Sequence, residues 1–263
     1  MDAVRRMRPA LGTFVEAGAC GGAGLAAIEA AFSVLAQAQE LWSFQDPASE
    51  LSRINASDGG WIAVHPDSAR LLRLARGLMT ASGGYFNFTI GGAQVLRGSL
   101  PDHGGRPALA CGTAQDVELR GNAVRLRRPV RLVFDGIAKG FAVDLACRAM
   151  RRAGAAAGWI NAGGDLRVFG GLDLPLVLRG EDGAVRPCGT LRNAAFATSQ
   201  VSADGGDTFP ADIIAPAGSS PQAGVWSVLA RSAWRADALT KVAATAPASV
   251  RAELLERLKG KLI

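Results

Sequence analysis

The chain switches repeatedly between two hydrophobic periods, and no linker or repeat divides it. Between Gly21-Gly22 and Asp46-Pro47, residues Leu25, Ile28, Phe32, Leu35 and Leu41 recur at the spacing of one helical face, which predicts a helix over 24–42. A second helix is expected to open at Pro66-Asp67-Ser68, to carry Leu71, Leu72, Leu74, Ala75 and Leu78, and to stop at Gly83-Gly84. Thr13, Val15 and Ala17 instead alternate within 11–19, as a strand would. Val117-Glu118-Leu119 and Val124-Arg125-Leu126 flank Gly121-Asn122, a hairpin signature. Further strands are expected over 131–134, 159–161, 166–169, 174–179, 194–199 and 225–230. Helices should follow Gly140 to near Gly154 and occupy 234–245 and 249–258. Isolated helices among hairpins predict an α+β fold: one compact domain over 1–263, with a mixed, largely antiparallel sheet and packed helices.

Charge narrows the function. The net charge is +6, but only four of the 29 basic residues are lysines, and the arginines are scattered apart from Arg5-Arg6-Met7-Arg8, 125–131 and Arg151-Arg152. Aromatics are 6% of the chain, too few for a basic stripe interleaved with stacking rings, so no nucleic-acid partner is expected. No apolar run is long enough for a membrane span. Cys20, Cys111, Cys147 and Cys188 show no metal-site or disulfide spacing, and no secretory leader is recognisable. A cytoplasmic location is expected for the chain as written, with export or lipid anchoring only if a signal had been removed.

Four segments could carry chemistry. In Leu132 to Asp144 a strand is expected to run into a helix start bracketed by Gly136 and Gly140, with Lys139 between them. Backbone N–H groups, the helix dipole and an ammonium would converge there on an anion. An ordinary helix start with an exposed lysine is the other reading. Asn161-Ala162-Gly163-Gly164-Asp165 marks either a glycine-hinged β corner or a close approach by another group. Tyr85-Phe86-Asn87 could offer rings to a planar ligand or pack the core. Asp237 lies among small apolar residues and needs a cation, either a metal or Lys241 one helical turn on.

In their order along the chain, these segments resemble the flavin transferase (ApbE-type) family, the FAD:protein FMN transferases. The similar stretches also include Ala10-Leu11-Gly12-Thr13-Phe14, Trp42-Ser43-Phe44, Ser49 to Asn55, Ala197-Thr198-Ser199 and Ala236 to Leu239. The resemblance implies an ApbE-like fold and an enzyme that binds FAD and Mg²⁺. Such an enzyme transfers FMN to a Thr or Ser hydroxyl of an acceptor protein and releases AMP. It implies that Leu11, Phe44, Tyr85, Phe86, Asn87, Lys139 and Ile213 line the FAD site. It further implies metal ligation by Gly136, Asp237 and Thr240, and catalytic roles for Lys139 and Asp212. The chain departs from the family pattern at several places: Val133 stands where an aspartate is usual, and Tyr85-Phe86-Asn87 stands in place of Ala-Phe-Asp. Asp212 stands where a histidine is usual, Ala215 replaces an aspartate, and Lys241 occupies the position of a threonine metal ligand. A non-catalytic FAD-binding or delivery protein and a metal-dependent FAD pyrophosphatase are the alternatives.

Overall fold

The computed structural model describes residues 3–179, 184–202, 213–216 and 219–263. Its centre is a seven-stranded sheet in the order β1-β2-β6-β7-β10-β11-β12, antiparallel throughout. These strands are β1 (Ala3–Ala10), β2 (Thr13–Cys20), β6 (Ala157–Ala162), β7 (Asp165–Phe169), β10 (Ala195–Val201), β11 (Gly224–Ala230) and β12 (Gly260–Leu262). Three helices, α1 (Gly24–Trp42), α5 (Ala138–Arg152) and α6 (Ala233–Thr245), pack on one face of it.

Period-two alternation sorts the side chains. In β6, β7 and β10, Ile160, Phe169, Ala195 and Ala197 join the main core, while Trp159, Leu166, Val168 and Phe196 form a second cluster on the opposite face. Leu176 and Leu191 close that cluster from a separate hairpin, β8 (Leu174–Arg179) and β9 (Val185–Leu191). A small sheet of β3 (Ile62–Ala63), β4 (Val117–Arg120) and β5 (Ala123–Leu126) lies in the order β3-β5-β4. The remaining helices are α2 (Glu50–Asn55), α3 (Pro66–Ala81), α4 (Gly91–Leu96) and α7 (Ala248–Arg257).

The predicted helices over 24–42, from Pro66 and after Gly140 are present, as is the Gly121-Asn122 hairpin. The predicted strand over 131–134 is not. Arg131 makes one isolated bridge to Ile90, and Val133 donates to the carbonyl of Phe88 at 2.8 Å. At Leu132 the partner is a side chain: the Asn55 amide donates to its carbonyl at 2.9 Å and accepts its N–H at 2.7 Å. A buried, extended segment is thus satisfied without a ladder, because one amide supplies both halves of a strand pair.

The first strand predicted over 11–19 is present as β2, which starts at Thr13 rather than Leu11. Leu11 and Gly12, with φ of 53° and 70°, form a tight turn joining β1 to β2, the pattern that matches strand twist. Leu11 is an unusual residue there, since a branched side chain at positive φ costs about 1 kcal/mol. The Gln39 side chain of α1 accepts its N–H at 2.9 Å and fixes the turn.

Candidate functional site

Helices α5 and α6 cross so closely that a Cβ at Gly140 would lie 2.4 Å from the Ala233 carbonyl oxygen and 2.8 Å from the Asp237 Cβ. At this crossing each helix caps the other. The first-turn N–H of Gly140 donates to Asp237 Oδ2 at 3.0 Å. In return, Asp144 of α5 accepts the N–H groups of Ala233 and Trp234 at 3.0 and 3.1 Å. Ile137 and Ser232, the residues at the N-cap positions, make no side-chain cap of their own. A carboxylate at a helix N-terminus satisfies orphan donors and meets the positive end of the dipole. Asp144 also pairs with Arg167 of β7, so the crossing is anchored to the sheet.

Around Asp237 gathers a charged cluster. Its Oδ1 lies 2.5 Å from the Lys241 ammonium, and the carboxylate has no exposed surface (0%). Lys241 also donates to Ser199 Oγ at 3.1 Å; Ser199 in turn bonds Thr240 Oγ1 at 2.7 Å. Thr240 donates to the Asp237 carbonyl at 2.6 Å. Lys139 stands 3.4 Å from Asp165 Oδ2, an oxygen that accepts no hydrogen bond among the described residues. Asp135 completes the set as an electrostatic neighbour of Lys241, Asp237 and Lys139.

These neighbours bias the protonation states. Burial first, then Asp237, pushes the Asp165 carboxyl up to about 7, against the opposing pull of Lys139 and Lys241. Asp165 raises the Lys139 pKa in turn, outweighing burial. The two shifts are compatible: one ammonium near Asp165 does not repay the loss of water and the presence of a second carboxylate. Asp135 is also raised, by desolvation and by Asp237. Asp135 itself is an exposed residue.

The structure brings Lys139, Gly136, Asp237 and Thr240 together. A Cβ on Gly136 would lie 3.4 Å from Lys241 Cε and 3.5 Å from the Phe86 ring, which places Gly136 beside both the lysine stem and Phe86. The carbonyl of Tyr85 accepts from Thr245 of α6 at 2.7 Å. The Asn87 amide is engaged locally, accepting from Thr89 N and Oγ1 at 2.8 and 2.7 Å and donating to Gly112 at 3.3 Å. Leu11 and Phe44 follow Ala10 and Ser43 in the chain. They flank residues of a cavity of about 450 Å³ lined by Pro9, Ala10, Phe32, Gln39, Ser43 and Asp46, and none of the cluster's charged residues lines it. Phe44 is buried against His103, whose Nε2 lies 2.7 Å from the Phe44 carbonyl oxygen. Ile213 is half-buried; Asp212 lies outside the described residues.

Asp165, Asp135 and Ser199 were not singled out from sequence as site residues. One signal was available for Asp165. An aspartate opening a strand that otherwise reads Leu-Arg-Val-Phe is buried by its register, and a buried carboxylate needs a cation.

The donor set tests the implied Mg²⁺. Magnesium demands octahedral oxygen ligands at about 2.0–2.1 Å. Here Asp237 already holds an ammonium on one oxygen and a backbone N–H on the other. Two unit charges 4 Å apart interact by about 4 kcal/mol at an effective dielectric of ~20, so a divalent ion beside Lys241 would face roughly twice that repulsion. The residues present fit an ammonium at Asp237, not a divalent ion.

Fold and site together define a class: an α+β protein in which two mutually capped helices hold lysine ammonium groups over buried carboxylates. The chain belongs to the ApbE family, whose sequence model matches residues 11–262. Similar solved structures include the apo form of the Pseudomonas stutzeri flavinyl transferase ApbE, with a TM-score of 0.82 at 19% identity, covering 97% of this chain and 88% of that one. The flavin transferase ApbE from Vibrio cholerae gives 0.81 at 20% identity, covering 97% and 90%. The ApbE protein from Thermotoga maritima gives 0.79 at 21%, covering 99% and 93%. At such identities the likeness establishes the fold. No curated protein matches the chain in sequence. No helix among the described residues is long and apolar enough to cross a membrane.

Proposed function

We propose that the whole chain is one flavin transferase domain: it binds FAD and moves FMN to a Thr or Ser hydroxyl of an acceptor protein, with release of AMP. The observation that carries this reading is the convergence of Lys139, Lys241 and the Gly136–Gly140 helix start on one cluster, in a chain of the ApbE family. A diphosphate needs positive charge and backbone donors in one place, and phosphoryl transfer relies mainly on positioning and electrostatics.

In the proposed reaction the acceptor hydroxyl oxygen attacks the phosphorus on the flavin side of the FAD diphosphate. The bond from that phosphorus to the bridging oxygen breaks, and AMP leaves with the bridging oxygen. Lys139 and Lys241 stabilise the charge on the diphosphate, and the first turn of α5 adds its dipole. Asp212 takes the hydroxyl proton as general base. Leu11, Phe44, Tyr85, Phe86, Asn87 and Ile213 are assigned to the walls of the FAD site. No step is routed through Mg²⁺, because Asp237 is already engaged. Four free cysteines, two of them buried, suit a reducing compartment, and we place the protein in the cytoplasm.

The test is incubation with FAD and a protein bearing an exposed threonine-containing acceptor segment. AMP by chromatography and flavin fluorescence that survives denaturing electrophoresis are the expected products. Asp212→Asn should keep FAD binding and lose at least 100-fold in transfer, as general-base removal does. Free FMN with AMP would mean hydrolysis, and FAD retained without AMP would mean a binding protein. Neither FAD binding nor AMP release would reject the reading altogether.

A further inference from the structure

We propose that the Lys241 ammonium is the resident cation of this site, standing where a divalent ion would otherwise balance Asp237, so that the chain binds its dinucleotide without metal. The inference rests on the proposed function for the identity of the ligand, but its metal-exclusion half stands on geometry alone. Lys241 lies one helical turn beyond Asp237, so the pair is dictated by α6 itself. The carboxylate is fully buried and cannot turn away, since the Gly140 N–H holds its other oxygen.

Two of the three ammonium hydrogens are spent, on Asp237 Oδ1 at 2.5 Å and Ser199 Oγ at 3.1 Å. The third has no partner among the described residues, and the side chain keeps 19% of its surface accessible. The lysine stem passes Gly136, where a Cβ would lie 3.4 Å from Cε, so the ammonium is delivered beside the turn that opens α5. A phosphate oxygen brought to that turn would meet the free hydrogen. Ammonium groups bind phosphate as point charges and need no octahedral shell, which suits a carboxylate with one edge already filled. The arrangement amounts to a built-in counter-ion.

Two measurements on the unmodified chain decide the matter. Titration with Mn²⁺ alone, followed by electron paramagnetic resonance, should show no site-bound ion. One bound equivalent that Asp237→Asn abolishes would overturn the proposal, whatever the chain does to flavins. FAD affinity by fluorescence quenching should agree within twofold between EDTA and millimolar Mg²⁺. A tenfold or greater loss in EDTA, restored by Mg²⁺, would also overturn it. Absence of FAD binding in both buffers would reject the proposed function and leave the Mn²⁺ titration to judge the ammonium. The variant Lys241→Thr, checked for folding by circular dichroism, should gain one Mn²⁺ equivalent. In EDTA it should bind FAD at least tenfold more weakly than the unmodified chain. A folded Lys241→Thr chain that still takes no Mn²⁺ would show that the ammonium is not what keeps the ion out.

Discussion

Replacing Gly140 by alanine tests whether the α5–α6 crossing holds the site together. The added Cβ would meet the Ala233 carbonyl oxygen at 2.4 Å, its carbon at 2.6 Å and Asp237 Cβ at 2.8 Å. Two of those three atoms are backbone, so no side chain can swing aside, and the helices must part. Overpacking of this kind costs about 1–3 kcal/mol. Parting the helices also stretches the bond from Gly140 N–H to Asp237, and a hydrogen bond to a charged group contributes about 1.5–3 kcal/mol. Each strain relieves the other in part, which gives about 2–4 kcal/mol together. At about 2–4 °C per kcal/mol for a domain near this size, the melting temperature should fall by about 4–16 °C. Gly136→Ala is the control. Its new methyl would find Lys241 and Phe86 side-chain atoms at 3.4–3.5 Å, ordinary contact, so stability should change by no more than about 0.5 kcal/mol. Calorimetry of the two variants beside the parent checks both numbers. Equal melting temperatures for Gly140→Ala and the parent, or an equally large drop for Gly136→Ala, would refute the close-crossing argument.

Asp165 gives a pH signature. Its folded pKa, near 7, lies above the unfolded value of about 3.9, so the folded state holds the extra proton between them. The stability linked to Asp165 is fully present below about pH 4 and is lost as pH rises through 7. Urea midpoints of the parent, referred to Asp165→Asn, should fall over that window; a flat profile would mean that Lys139 keeps the carboxylate ionised. Asp116 should behave in the opposite way. Arg128 above all, helped by the backbone and hydroxyl of Thr113 and opposed by burial, brings its pKa down to about 2, so its contribution is present above about pH 4 and is lost as pH falls towards 2. Arg128→Ala should flatten that acid limb in the same urea assay. Gly163, at φ +59° in the β6–β7 turn, faces Thr13, whose Oγ1 would lie 2.6 Å from an added Cβ. Gly163→Ala should cost about 1–3 kcal/mol by chemical denaturation.

Elements with a self-contained signal were legible in the sequence. Helix α1 buries Ala27, Ile28, Ala31, Phe32 and Leu35 on one stripe, and the α3 start is marked by Pro66. Strand β1 was not legible: it reads Ala-Val-Arg-Arg-Met-Arg-Pro-Ala and is exposed along nearly its whole length. It pairs with β2 over all eight residues, so its order comes from backbone bonding, which side-chain alternation does not report. For Asn161-Ala162-Gly163-Gly164-Asp165 the structure shows the glycine-hinged β corner. The two glycines turn β6 into β7, and Gly163 packs on Thr13. At Asp237, spacing offered a metal or Lys241, and the geometry supplies the lysine.

What no local pattern could reveal is the exchange of caps between α5 and α6. A capping residue is ordinarily sought just before its helix, yet Ile137 and Ser232 leave those posts vacant. The carboxylates arrive from the partner helix, Asp237 at the start of α5 and Asp144 at the start of α6. This exchange ties stability to chemistry. The same Asp237 that closes the first turn of α5 positions the Lys241 ammonium, and the same first turn carries Lys139 towards Asp165. A substitution that moves one helix against the other must therefore disturb both lysines together. Loss of FAD affinity in Gly140→Ala should accordingly track its loss of stability, whereas Asp144→Asn, which weakens the α6 cap and the link to Arg167, should cost stability with a smaller change in affinity. Equal losses of affinity in the two variants would place the ligand nearer the start of α6 than the start of α5.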